Sequence, residues 1–198
     1  MKAIIPKVPP DIIAFRKRTG ADQWDEMWEG VLHMPPVPNR EHQDFEWSLE
    51  DFLRRVWGRP KGAKVYHQIN LAKPGGWNKD YRIPDLVLLS PERFAIDHNE
   101  YFEGAPSVVV EIRSPGDESY EKLTFYAELG VPEVWIIDRD SKEPEVFELQ
   151  GDRFSKKLPA DDTGWVTSDL IGIEMKAQER KLRMRRAGDP GSEVALPY

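Results

Sequence analysis

Apolar residues recur along this chain at two periods, and each marks a different kind of element. After Asn39, the residues Phe45, Leu49, Phe52, Leu53, Val56 and Trp57 follow at intervals of 4, 3, 1, 3 and 1, tracing one face of a 3.6-residue repeat. The spacing predicts a helix capped by Asn39 and ended by Gly58 and Pro60. The runs IPDLVLLS, SVVVEIRS and VPEVWIID are instead continuously apolar and bounded by Pro or Gly, as strands buried on both faces are. KVYHQINLA reads as one further extended segment. PPDIIAFRKRTG predicts a short helix that proline leads into, Asp11 caps and Gly20 stops. Asp117 is placed to cap another helix running to Leu129 and closed by Gly130.

Two hairpins complete the order. DEMW and VLHM flank Glu29-Gly30, and PEVFELQGDRF folds around Gln150-Gly151; glycine accepts the positive φ of such tight turns. The sequence of elements predicts an α/β (α+β) fold with one mixed sheet flanked by helices and additional N-terminal and C-terminal hairpins. At 198 residues, one domain spanning 1–198 is expected.

Composition narrows the function classes. There is no cysteine, so disulfides, thiolate zinc sites and cysteine nucleophiles are all excluded. The continuous apolar runs near the N-terminus, such as Ala3, Ile4 and Ile5, are too short for a signal peptide, and no stretch approaches a membrane span. A cytoplasmic protein without membrane contact is expected. The net charge of −7 works against broad affinity for nucleic acid, which runs on Lys and Arg. Residues 176–198 depart from this: six basic and three acidic side chains make the segment +3, leaving −10 elsewhere. It reads as a basic C-terminal tail, free to move, which either meets a polyanion or is a solvated face.

Candidate chemistry lies where carboxylates interrupt apolar strands. Asp85 precedes LVLL and Glu111 follows VVV. A buried carboxylate is costly unless paired, metal-bound or at a strand end, and strand ends facing water are the alternative to a site. Lys122 tilts the balance. It follows the turn SPGD on the next helix, and helical side chains lean toward the helix N-terminus, so its ammonium points back at the end of the Glu111 strand. Two carboxylates with a lysine can hold Mg²⁺, orient water and stabilise charge on a phosphoryl oxygen. Tyr126, four residues after Lys122, shares its helix face and packs beside it. Asp138 ends the VWIID strand as a third acid or a turn cap. Trp77, beside Gly75 and Gly76, reads as an exposed ring able to stack on a base.

The stretches DEMWEGVLHMPP, REHQDF, YRIPDLVLLSPERF and GAPSVVVEIRSPGDESYEKLTFYAELGVPEVWIIDRDSKEPEVFEL together resemble the Uma-two family of restriction-endonuclease-like proteins, in the PD-(D/E)XK nuclease superfamily. The resemblance covers roughly residues 24 to 175. It implies a restriction-endonuclease-like fold, Asp85 and Glu111 as metal-binding acids, Mg²⁺ or Mn²⁺ as cofactor, and DNA as substrate. In the superfamily pattern a lysine lies two residues after the second acid; here that position is Arg113, which stays protonated and cannot act as a base. The resemblance implies Lys122 in its place, although Arg113 shares the Glu111 face by strand alternation. Glu26 and His42 match a glutamate and a histidine found in the family: Glu26 either joins the metal site or is hairpin surface, and His42 either serves metal or DNA or hydrogen-bonds locally. The function expected is metal-dependent endonuclease, with cutting of both strands favouring a homodimer. The alternative is a catalytically inactive nuclease-fold interaction or structural protein, which the acidic charge and Arg113 make reasonable.

Overall fold

The computed structural model describes residues 8–198; the Ala3–Ile5 run lies outside them. A central six-stranded sheet runs in the order Arg153–Lys157, Pro144–Gln150, Glu133–Asp138, Val108–Arg113, Leu86–Leu89, Lys64–His67. Only Val108–Arg113 and Glu133–Asp138 pair in parallel; the other pairs are antiparallel. A mixed sheet results because a helical crossover joins those two strands, short turns join the pairs beyond Glu133–Asp138, and residues 68–85 and 90–107 return the chain antiparallel on the other side.

Burial alternates along the Val108–Arg113 strand as its continuous apolar run requires. Val108, Val110 and Ile112 enter one core with Phe45, Leu49, Phe52 and Leu53 of the Arg40–Leu53 helix. Val109 enters a second core with Val87, Leu89, Phe125, Tyr126 and Ile136 on the opposite face. Each face of the sheet is thus covered by one helix. Asn39 caps the first of these, its Oδ1 accepting from the His42 N–H at 2.9 Å. That helix does not stop at Gly58: it passes through a π-turn at Arg54–Gly58 and ends at Gly62, whose φ of 65° closes it. Pro60 fits because it falls in the first turn of the final segment, where no N–H is needed.

Two further sheets surround the centre. One orders Val31–His33, Glu26–Trp28, Tyr81–Arg82, Asn70–Ala72 and Tyr101–Glu103, so the N-terminal hairpin is its edge. The expected single extended run KVYHQINLA is broken at Gln68, with φ of 49°, and its halves pair in different sheets. The other sheet orders Val166–Ser168, Ile173–Gln178, Lys181–Arg186 and Val194–Leu196. The basic segment 176–198 is therefore built into a sheet rather than standing as a tail. Leu182, Met184 and Leu196 alternate inward and are fully buried, while the basic residues between them face outward. Asp11 also differs from expectation: the Pro10–Thr19 helix has no side-chain cap, its proline start leaving fewer N–H groups to satisfy.

Candidate active site

The site lies where the Leu86–Leu89 strand begins and the Val108–Arg113 strand ends, beside the start of the Arg40–Leu53 helix. Asp85 sits one residue before Leu86, which pairs with Val110, so alternation turns Asp85 and Glu111 to the same face of the sheet. The Asp85 carboxylate is fixed at both oxygens. Oδ2 accepts from the Ile112 N–H at 2.6 Å, and Oδ1 lies 2.9 Å from His42 Nε2. Glu46, one turn after His42, is buried with its Oε2 3.9 Å from the same imidazole nitrogen, and it accepts from Gln68 Nε2 at 3.0 Å. Ligand atoms of His42, Glu46 and Asp85 all lie within 4.8 Å of one another.

Glu111, 3% exposed, faces the other half of the site. Lys122 Nζ lies 3.1 Å from its Oε2 and 2.8 Å from Glu26 Oε1, and the Tyr126 hydroxyl donates to its Oε1. Glu26 is held in turn by the Ile83 N–H at 2.8 Å and the Trp28 indole N–H at 2.6 Å. The second helix begins only at Leu123. Asp117 does not cap it, because its carboxylate is spent inside the preceding turn on the Ser114 and Ser119 N–H groups and the Ser119 hydroxyl. Lys122 is thus the residue before the first turn rather than part of the second. It still reaches the Glu111 strand.

Charge is out of balance here. Burial pushes the Glu111 carboxyl up to about 8, with the charges of Asp85 and Glu26 adding to the effect against Lys122 and Tyr126. Burial likewise pushes Glu46 up to about 8, again with Asp85 adding. Burial opposes the charge on Lys122, but the carboxylates of Glu111 and Glu26 outweigh it and its pKa is raised. His42 is raised too: burial works against the imidazolium, and the bond to Asp85 outweighs it. One lysine stands among several buried acids, so burial and the repulsion from Asp85 both favour the protonated forms of Glu46 and Glu111.

Similarity to known proteins agrees with this architecture. A family model described as "Putative restriction endonuclease", Uma2, matches residues 15–178. The chain belongs to the Uma2 family. A crystal structure described as a putative nuclease belonging to DUF820, from Anabaena variabilis, superposes with a TM-score of 0.59 at 17% identity. The match covers 74% of this Uma2 chain and 83% of the Anabaena chain; at that identity it speaks for the fold alone. No curated protein matches the sequence.

The Uma2 chain brings Asp85, Glu111, Lys122, Glu26, Tyr126 and His42 into one neighbourhood. Arg113 is directed elsewhere: it is registered opposite Asp138 on the parallel strand, pairs with that carboxylate and lies over the Tyr120 ring. Asp138 is also the acceptor for the turn groups of Asp140 and Ser141, so it serves the turn and not the acidic cluster. Trp77 is half-buried rather than exposed, stacked on Tyr101 with centroids 4.5 Å apart and with Tyr81 tilted against it at 5.1 Å, so it belongs to an aromatic cluster. Sequence reasoning missed Glu46, Gln68 and Trp28. Glu46 had a signal: it lies three residues before Leu49 and seven before Leu53, on the apolar stripe, where a charged side chain must find a partner.

Proposed function

We propose that this protein is a metal-dependent endonuclease that hydrolyses DNA phosphodiester bonds, with Asp85, Glu111 and Lys122 as its catalytic set. The observation that carries the reading is the adjacency of two groups: His42, Glu46 and Asp85, whose ligand atoms lie within 4.8 Å of one another, and Glu111, which feels the charge of Asp85 and holds Lys122 together with Glu26. The donor set fits a divalent cation. Two buried carboxyls stand at about 8, first because burial disfavours their charged forms and then because Asp85 repels them; a bound cation would favour the charged forms. Asp85 would contribute in either half of the cluster, with Glu111 on one side or His42 and Glu46 on the other. The oxygens of Asp85 and Glu111 suit Mg²⁺ or Mn²⁺, and a ligand set that includes the His42 imidazole would suit a transition ion such as Mn²⁺ better than Mg²⁺. When bound, the cation would supply an activated water and neutralise charge on a phosphoryl oxygen.

The chain's own residues define the remaining chemistry. The Ile112 N–H and His42 fix Asp85 so that its carboxylate needs no reorganisation. Tyr126 and Lys122 do the same for Glu111. Lys122, protonated at neutral pH, offers a cation to a phosphoryl oxygen, the preorganised charge that phosphoryl transfer relies on. Arg113, paired with Asp138, serves the turn. DNA is the proposed substrate, and a homodimer would present two such sites to the two strands.

A second reading, an inactive nuclease fold serving as an interaction or structural protein, draws on one observation: Lys122 is already paired with both Glu26 and Glu111. Calorimetric titration of Mn²⁺ and Mg²⁺ into the wild-type chain and Asp85→Ala, alongside plasmid nicking, separates the two. The nuclease reading expects binding and nicking in the wild type, both lost in Asp85→Ala. Absence of metal binding in the folded wild type would favour the second reading.

A further inference from the structure

The N-terminal hairpin has a role that its edge position in the sheet does not require. Trp28 is gripped on both sides. One face stacks on His33, with ring centroids 4.0 Å apart and planes 12° from parallel. On the other side lies the Arg82 guanidinium, 4.2 Å from the Trp28 ring centroid and 4.2 Å from that of Phe125. Arg82 is 5% exposed and its Nε has no hydrogen-bond partner, so its plane is committed to the two rings, while Nη1 is anchored on Met27 O at 3.0 Å and Asp80. Phe125 lies three residues after Lys122 on the following helix. A continuous ladder His33–Trp28–Arg82–Phe125 thus ties the hairpin to the segment that presents the lysine. His33 closes the loop a second time, with Nδ1 2.8 Å from Glu118 in the turn before Lys122.

The edge of the clamped indole is aimed at the site. Its N–H donates to Glu26 Oε2 at 2.6 Å, leaving Oε1 to the Ile83 N–H and to Lys122 Nζ. We propose that Trp28 is a positioning residue: it fixes the rotation of the Glu26 carboxylate, and through Glu26 it sets where the Lys122 ammonium stands. A bare hydrophobic contact would hold the hairpin without specifying that rotation. The indole N–H specifies it, because a short hydrogen bond to a carboxylate oxygen is directional and stronger than a neutral one. The effect on hydrolysis rests on the nuclease reading above; the linkage between Trp28, Glu26 and Lys122 does not.

Two measurements on the full chain test this. In ¹⁵N-labelled protein the indole N–H that disappears in Trp28→Phe identifies Trp28 among the seven tryptophans. Its resonance should lie downfield with that of Trp135, whose indole also donates to a carboxylate at 2.6 Å, and it should shift in Lys122→Met and Glu26→Gln although the ammonium and the indole N–H are both donors and meet only through Glu26. A Trp28 resonance unmoved by both substitutions would overturn the proposal. In plasmid nicking, Trp28→Phe, which keeps a ring in the ladder, should lower kcat about tenfold or more while KM and metal affinity hold. The double variant with Glu26→Gln should be no slower than Glu26→Gln alone, because both act through one carboxylate. Multiplying effects would show that Trp28 acts only as packing and would also overturn it. If the indole shifts are found but no metal supports hydrolysis, the positioning role stands and the nuclease reading falls.

Discussion

Replacing Glu46 by glutamine removes one of the two carboxyls whose burial unbalances the site, and its effect on stability should depend on pH in a defined way. Glu46 is 6% exposed and its pKa is pushed from 4.5 to about 8, first by burial and then by Asp85. A carboxyl with a higher pKa folded than unfolded favours the folded chain below its unfolded pKa of about 4.5. That contribution is lost as the pH rises through about 8. The shift corresponds to roughly 5 kcal/mol at full ionisation, at about 1.4 kcal/mol per unit. At pH 8 the folded carboxyl is half ionised, which leaves roughly 4 kcal/mol, and relaxation around Asp85 and His42 brings the expected difference to about 2–4 kcal/mol. Glutamine keeps an oxygen for the Gln68 amide and never ionises. In urea unfolding with EDTA present, Glu46→Gln should therefore exceed the wild type by that amount at pH 8, and by less than about 1 kcal/mol at pH 5. Saturating Mn²⁺ should reverse the order at pH 8, because a cation held by the native cluster stabilises only the folded chain. A variant no more stable than wild type at pH 8, or an advantage independent of pH, would refute the reasoning.

Three substitutions and one titration probe separate parts of the molecule. Lys122→Met should cut nicking about 10²-fold with metal affinity little changed, as expected for losing one preorganised charge, whereas Arg113→Ala should act on stability by about 1 kcal/mol or less, since its pairing with Asp138 is partly exposed; full activity in the first beside a dead second variant would reverse the assignment. Calorimetry at pH 7 in two buffers of different ionisation heat should show one to two protons released per cation bound, with affinity rising until about pH 8, because Glu46 and Glu111 must give up protons held at about 8 before they can act as ligands; a pH-independent affinity with no proton release would remove both from the ligand set. Asn39→Ala should lower urea stability by about 1 kcal/mol, since it abolishes the cap at the His42 N–H, and an unchanged midpoint would show that the cap is redundant.

Much of this site is legible in the sequence because its main carboxylates sit in strands whose other residues must be buried. Asp85 and Glu111 stand out against LVLL and VVV, and the pairing of Leu86 with Val110 is what gives them a common face. The Arg40–Leu53 helix is legible from its apolar stripe. What fails is whatever depends on local side-chain competition. Asp117 looks like a helix cap, but the turn it sits in takes both of its oxygens, and the helix starts six residues later. The break at Gln68 is hidden because KVYHQINLA is extended on both sides of one left-handed residue, and a two-sheet division has no periodic signal. Residues 176–198 look like a tail because Lys and Arg dominate the composition, while the alternation of Leu182 and Met184 between them is the strand signal that the charge count obscures.

The position of the lysine follows from the same geometry. A residue two places after Glu111 shares its face, but here that face ends beside a parallel strand whose registered partner is Asp138. An arginine at 113 finds a planar carboxylate there and binds the turn together, a task suited to its fork of donors. The cation for the acids must then come from another element, and Lys122 arrives from the turn before the next helix, with Glu26 of the hairpin to steady it. The exchange has an electrostatic consequence. Asp85, Glu111, Glu26 and Glu46 bring four acidic groups to the cluster, and Lys122 answers one of them. His42 can answer another only while it is protonated, and as a metal ligand it would be neutral. A divalent cation would therefore remove most of the remaining surplus, whereas a second fixed lysine would remove it permanently and leave the acids nothing to bind. The unbalanced cluster, with its protons held at about 8, is what a chain built to take up a cation would carry, and what a purely structural ion-pair network would avoid.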